Sequence, residues 1–306
     1  MRLIGKLLKF IVFVCALCIG VYLGSMAIGL PLDTFFMDEE PVQSEPLVFD
    51  ASLYPYYDQL TYEEKILYSE IYQGAIDGKK SIEPSVQVNE QQLEQVFNYV
   101  TYDHPEIFWI DSSFEYQYIE DTGNVVEITY AYNDTYNDLE NNKLVFDSIC
   151  NEIVNNAMNY SSDYDKEKYV HDALLEKSNY DANSDLNQSA YSLLVNGSTV
   201  CAGYAKSFQL MMTKIGIPCY YVTGMSEGEA HAWNIVLIDG NFYNVDVTWD
   251  DCMSDTDPYY FFNLDDEEFN TNHSRDEDSA FLPSCTSTAL AHLEDADIYP
   301  YIYFEH

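Results

Sequence analysis

Three short runs of the sequence carry side chains that can do covalent chemistry together. The first is Gly197-Ser198-Thr199-Val200-Cys201-Ala202-Gly203-Tyr204-Ala205, in which the glycine and serine break whatever precedes, while Ala202, Ala205 and Met212 recur at helical spacing. Cys201 therefore falls at a helix start, where unpaired N–H groups and the positive end of the helix dipole favour a thiolate. A thiolate attacks acyl groups, but the departing amine needs a proton, and the imidazolium that supplies it needs an anchor. His231, in Glu229-Ala230-His231-Ala232-Trp233-Asn234, and Asp246, in Asn244-Val245-Asp246-Val247-Thr248-Trp249-Asp250, offer both.

The elements that must bring these groups together can be read from the same stretch. The two β-branched and aromatic runs around His231 and Asp246 are separated by Asp239-Gly240, a dipeptide suited to a two-residue type I′ hairpin turn. With that turn, residues whose numbers sum to 479 face one another, so Asp246 lies opposite Trp233 and Thr248 opposite His231. His231 and Asp246 then share a face as diagonal neighbours, about 7 Å apart at the backbone. A three-residue loop would invert the parity and point the two side chains to opposite faces. A cysteine or a histidine alone in such surroundings is more often a packing or hydrogen-bonded structural residue. A nucleophile at a helix start, a base on the next hairpin and a carboxylate one strand over are not what packing alone selects.

These motifs, Val200-Cys201-Ala202-Gly203-Tyr204-Ala205, then His231-Ala232-Trp233-Asn234, then Asn244-Val245-Asp246-Val247-Thr248-Trp249-Asp250-Asp251, resemble the core of the transglutaminase-like superfamily in its bacterial membrane-attached or secreted branch. The resemblance runs from about Asp163 to Trp249. It implies an α+β, papain-like transglutaminase core, in which a helix carrying the cysteine packs on an antiparallel sheet carrying the histidine and aspartate. It also implies a catalytic triad of Cys201, His231 and Asp246 acting on peptide or glutamine amides through a thioester. What resolves the thioester stays open: peptidase-like hydrolysis, cross-linking transfer to amines, or no chemistry at all in a surface binding module. Gln188 and Tyr191 are the nearest upstream side chains able to donate to an oxyanion, beside the backbone N–H of Cys201.

Taken in order, the chain divides into residues 1–31, 32–50, 51–132 and 133–306. Arg2, Lys6 and Lys9 precede 21 uncharged residues, Phe10 to Leu30, long enough to span a bilayer with the N-terminus in the cytoplasm. The competing reading is a cleaved signal peptide ending near Ser25-Met26-Ala27. Asp33 to Asp50, acidic and proline-bearing, reads as a stalk. Thr61-Tyr62-Glu63-Glu64 opens a helix to about Asp77, a second helix runs from Asn89 to Val100, and Phe114–Ile119 with Val125–Tyr132 forms a hairpin. This small α+β domain holds no constellation of chemical groups of its own, and His104 reads as structural. Leu139–Met158 and Lys166–Lys177 are amphipathic helices, and His171 on the second reads as a surface or packing histidine. Ala190–Val195 reads as a short helix, Tyr259–Phe262 as a further edge strand, and residues 295–306 as one more.

Composition bounds the partners. Fifty-two acidic residues against 13 basic ones give a net charge of −39, which excludes nucleic acid and suits a peptide or protein substrate at a cell surface. The acidic loop of Asp250, Asp251, Asp255 and Asp257 lacks the ligand alternation and central glycine of an EF-hand, so no metal and no cofactor are expected. Five cysteines lie beyond the apolar run; with Cys201 free, up to two disulfides remain. Their wide spacing offers no zinc pairs, unlike the related peptide N-glycanases.

Overall fold

The computed structural model describes residues 45–252 and 257–293. Its early elements start where the capping residues put them. Helix α1, Pro55–Gln59, has proline in its first turn, and α2, Tyr62–Ile76, opens on the predicted capping box between Thr61 and Glu64. Strand β1 is Ser81–Ile82, and α3, Glu90–Asp103, opens on a second capping box between Asn89 and Gln92. The predicted hairpin is β2, Ile110–Tyr118, with β3, Val125–Tyr132; β1 joins it in the order β1-β3-β2.

Helices α4, Leu139–Ala157, and α5, Asp163–Lys177, follow. Strand β4, Asn179–Tyr180, pairs in parallel with β5, Ser198–Thr199. Between them the predicted short helix is a π-turn, Ser192–Asn196, closed by Gly197 in the left-handed region. The cysteine helix is α6, Cys201–Ile215. Behind it lies an antiparallel sheet of β6, Cys219–Ser226, β7, Glu229–Ile238, and β8, Asn241–Val245. Helix α7, Val247–Cys252, α8, Asp266–Phe269, and β9, His273–Arg275, complete the described chain. The sheet order is β8-β7-β6-β9.

The register follows the expected pairing as far as the strand lasts. Ile238 pairs with Asn241 and Asn234 with Val245, and Asp239 and Gly240 both have positive φ, as a type I′ turn requires. Pairing stops at Val245, however, and the run from Val247 is helical, so Thr248 does not face His231; Gly224 does, from β6. Tyr259–Phe262 is a turn and not an edge strand, and the fourth strand is instead β9, added to β6 at Gly224, Met225 and Ser226.

Buried residues from Tyr56 through Cys285 form one continuous apolar cluster, with Trp233, Phe208, Tyr204 and Tyr243 among its largest members. Each such side chain contributes on the order of 1.5–3 kcal/mol by leaving water. Polar ties join the N-terminal elements to the core: Tyr56 donates to the Tyr221 carbonyl at 2.7 Å, and Gln209 donates to the Tyr102 carbonyl at 2.8 Å. All five described cysteines are free thiols, so neither of the two disulfides that the count allowed is present among them. Among the described residues no helix is long and apolar enough to cross a membrane; the predicted span, residues 10–30, and the predicted terminal strand lie outside the described residues.

Candidate active site

Cys201 is the first residue of α6, and the motif around it is what lets the helix start there. A Cβ at Gly203 would lie 1.9 Å from Thr199 Oγ1 and 2.9 Å from Ser192 Oγ, so only glycine lets the first turn pack against β5 and the π-turn. Two further motif residues clamp the helix to its partners. Asn234 donates to the Ala205 carbonyl at 3.0 Å, tying α6 to β7, and Tyr204 donates to Asp251 at 2.6 Å, tying α6 to α7. Half-buried Cys201 packs against a small buried cluster of Ala205, Tyr221 and Ala232, and Tyr102 packs against the same cluster.

His231 Nε2 lies 2.7 Å from Asp246 Oδ2, and His231 is also a hydrogen-bonding neighbour of Cys201, which leaves Nδ1 to face the thiol. Asp246 lies one residue past the end of β8, yet its carboxylate still reaches across, because its other oxygen is used to start a helix. Oδ1 accepts from the N–H groups of Thr248 at 3.0 Å and Trp249 at 3.2 Å, which caps α7 and fixes the carboxylate plane. Burial alone would raise the pKa of Asp246, but the charge and hydrogen bonds of His231 and His273 hold it down, to about 2. Burial likewise works against charge on His231, and Asp246 and Cys201 together outweigh it and carry the imidazole up to about 10. The group therefore holds a buried ion pair at neutral pH.

One member was not found in the sequence. His273 Nε2 lies 3.1 Å from the same Asp246 Oδ2, its side chain fully buried, with its ring stacked on Phe269 at 4.1 Å and Asn272 Oδ1 2.6 Å from Nδ1. Trp233, Trp249 and Phe261 pack around the His273 ring, and the carboxylate beside it is fully buried. His231, Asp246 and His273 are also residue types that hold metals. Two ligands on one tetrahedral zinc stand roughly 3.3 Å apart. Separations of 2.7 and 3.1 Å suit a proton between each pair better, and full burial of Asp246 and His273 leaves no place for a water ligand.

Replacing His273 by Phe keeps the aromatic packing and removes a donor to a buried carboxylate. We expect alkylation of Cys201 by iodoacetamide at neutral pH to slow by about 10–100-fold, with His273→Gln recovering part of the loss. Equal rates for wild type and the Phe variant would show that His273 has no part in holding Asp246 for the reaction.

The other predicted groups are elsewhere. Tyr191 donates its hydroxyl to Asn142 at 2.9 Å and packs on Phe108 and Phe146; Gln188 is exposed and donates to Asn187 at 3.2 Å. Neither makes a hydrogen bond to Cys201, and the first N–H groups of α6 are free of intrahelical partners. His171 is not a simple packing residue. Its Nε2 lies 3.0 Å from Asp250 Oδ2, both side chains fully buried, and Asp250 Oδ1 accepts from Phe261 N–H at 2.7 Å. Asp250 is thus not part of a solvated acidic loop. It anchors the far end of the turn that Asp246 begins, and its own N–H donates to the Asp246 carbonyl at 3.1 Å.

Residues 148–247 match the model of the transglutaminase-like superfamily core, and this segment of the chain belongs to that superfamily. The chain is similar to the kyphoscoliosis peptidase of Mus musculus, at 32% identity over 93 residues, and to that of Homo sapiens, at 34% over 76. These matches take in 26% and 21% of this chain and only 14% and 12% of the two peptidases. Among solved structures, a TGase covers 55% of this chain and 50% of its own, at 16% identity and TM-score 0.32. A candidate cysteine protease from Cytophaga hutchinsonii covers 44% and 61%, at 16% identity and TM-score 0.29. At those scores the two likenesses carry no argument.

Proposed function

We propose that the chain is an extracytoplasmic cysteine enzyme that cleaves peptide or glutamine amides through a thioester on Cys201. The observation that carries this reading is His231 held between the Cys201 thiol and a buried carboxylate already fixed by four hydrogen bonds. Cys201 Sγ, as thiolate, attacks the carbonyl carbon, and His231 then delivers its proton to the departing amine. In the second half His231 takes a proton from water as the water attacks the thioester, and the acid leaves with the thiol restored. Asp246 keeps the ring turned so that Nδ1 faces sulfur throughout. Hydrolysis is favoured over transfer because water needs only an open approach, whereas an amine needs a site that binds it and excludes water. The name of the two mammalian relatives, a peptidase, is in keeping with this. The basic N-terminus and the 21 uncharged residues after it support a single-pass anchor with the enzyme outside the membrane.

The five described thiols make the nucleophile testable. Cys150, Cys219 and Cys285 are buried, and burial pushes each thiol well up, Cys150 to about 12; burial and the neighbouring Asp251 and Asp246 raise exposed Cys252 as well. Iodoacetamide at limiting dose should therefore label Cys201 first, and Cys201→Ala should remove that label with the fold intact. Mass spectrometry of a glutamine-containing peptide supplied together with a primary amine then separates the chemistries. Free acid or cleaved peptide, lost in Cys201→Ala and His231→Ala, is the expected product. Accumulation of the amide-linked adduct would replace hydrolysis by cross-linking, and no product in either arm would favour a binding module.

A further inference from the structure

A cavity of about 350 Å³ opens beside α6, between the end of α3 and the loop that leads to Cys201, and Lys206 lines it. Its wall includes Lys206, Gln188, Asn187, Ser112, Ser113 and His104. Lys206 stands out among the basic residues. Lys65, Lys166, Lys168 and Arg275 each pair with a carboxylate, Lys143 sits 3.7 Å above the Trp109 ring, and Lys79, Lys80, Lys177 and Lys214 are exposed. Lys206 is partly buried, has no ion pair among the described residues, and its Nζ lies 5.5 Å from the centre of the Tyr221 ring. Burial lowers its ammonium to about 8. In so acidic a chain, a partly buried cation without an acidic partner among the described residues is a place for an anionic ligand. The buried Nε2 of His104, in the same wall, also lacks a partner.

We infer that this cavity is a subsite for a carboxylate of the substrate chain, held by Lys206. The inference rests on Cys201 being the nucleophile, since position makes the cavity a subsite. Five residues along one helix separate the two Cα atoms by roughly 8–9 Å. An extended substrate residue two or three positions from the acylated carbon, at about 3.3 Å per residue, spans that distance. Charge and donors fit a single carboxylate. One ammonium beside neutral amides and hydroxyls matches one negative charge, whereas a phosphate group calls for an arginine fork or a helix N-terminus, and Lys206 is in mid-helix. The net charge of the protein does not forbid an anion here, because at physiological salt it is screened beyond about 8 Å. One lining group opposes the ligand: exposed Asp111.

Two substitutions of opposite sign test the subsite, with the full chain reductively methylated with ¹³C so that each lysine reports its own titration. N-acetyl-glutamate N-methylamide should raise the titration point of Lys206, and N-acetyl-glutamine N-methylamide should leave it in place. Ligand-observed titration should show roughly tenfold weaker binding in Lys206→Met and tighter binding in Asp111→Asn. N-acetyl-alanine, with its terminal carboxylate, is the third ligand; binding there in preference to the glutamate side chain assigns the subsite to a chain end and still supports it. Equal effects of the glutamate and glutamine compounds, or a Lys206 signal indifferent to all three, would overturn the assignment. None of these readouts uses Cys201 chemistry, so an inactive cysteine would sink the enzyme reading and leave this result standing as a carboxylate site alone.

Discussion

Asp246→Ala is expected to abolish measurable turnover and to lower the melting temperature sharply, a double effect that no other single substitution in the site should produce. The buried carboxylate accepts four hydrogen bonds: His231 and His273 on one oxygen, Thr248 and Trp249 N–H on the other. Its removal strands a buried imidazolium and uncaps α7 together. Breaking a buried pair in this way costs about 3–5 kcal/mol. Losing the group that sets the histidine tautomer costs on the order of 10⁴ in rate. Asp246→Asn separates the two. An amide can keep its oxygen on the α7 N–H groups while its NH₂ faces two Nε2 atoms, so stability should partly return and activity should not. A calorimetric scan beside the glutamine-peptide assay checks both, and an Asn variant with near-native turnover would remove Asp246 from the mechanism.

What the sequence disclosed, and what it hid, divides along the range of the interactions. The type I′ turn at Asp239-Gly240 and the pairing of Ile238 with Asn241 are local, and the dipeptide with its flanking alternation determines them. The face shared by His231 and Asp246 followed from that register, even though Asp246 proved to lie past the strand end. There the cap formed by its own side chain on Thr248 and Trp249 overrode the β-branched run that reads as strand. His273 was not legible. It lies in a polar three-residue strand that reaches Asp246 only because β9 adds to β6, almost 50 residues earlier in the chain. The His171–Asp250 pair, 79 residues apart, was missed for the same reason. A DD pair after the tryptophan was visible, but nothing local says that its first member turns inward to α5 and its second to Tyr204. Tyr102, which packs on Tyr221 and ties the N-terminal helices to α6 through Gln209, has no motif around it at all.

The four distances around Asp246 also bear on why the site is built from buried charge. A solvated histidine would meet the thiol in many orientations. Full burial of the carboxylate strengthens its hold on the ring, and the cost of desolvation is offset by donors on both oxygens. The same logic explains the anchoring of α7 at its other end. With Asp250 held by His171 and by Phe261 N–H, the six-residue helix cannot pivot about its cap, so the cap position, and with it the His231 ring, is fixed from two sides.

Stability should be greatest in mildly acidic solution and fall as pH rises from about 5 to 8. Buried Asp103 accepts from Tyr57 N–H at 2.8 Å and from the Tyr68 hydroxyl at 3.0 Å, but burial dominates and lifts it to about 7. Glu167, fully buried with one oxygen on Asn263 and the other without a partner, is lifted by burial to about 8. The unfolded chain releases both protons near pH 4, so above that the folded state binds more protons and loses stability with rising pH, up to about 7 and about 8. Histidine runs the same way. The raised His231 contributes stability that is complete below about 6.5 and is lost as pH climbs through about 10, and His171, raised by Asp172 and Asp250 against burial, adds to the slope. Asp246 runs the other way, its contribution present above about 4 and lost only as pH falls through about 2. Melting temperatures measured across this range should therefore decline on the alkaline side. Asp103→Asn should flatten the segment between about 4 and 7, where one proton held by the folded chain and released by the unfolded one removes about 1.4 kcal/mol for each pH step of one. A melting temperature that holds level or rises between about pH 5 and 8 would mean that Asp103 and Glu167 are ionised in the folded protein, with counter-charges other than the groups that now surround them.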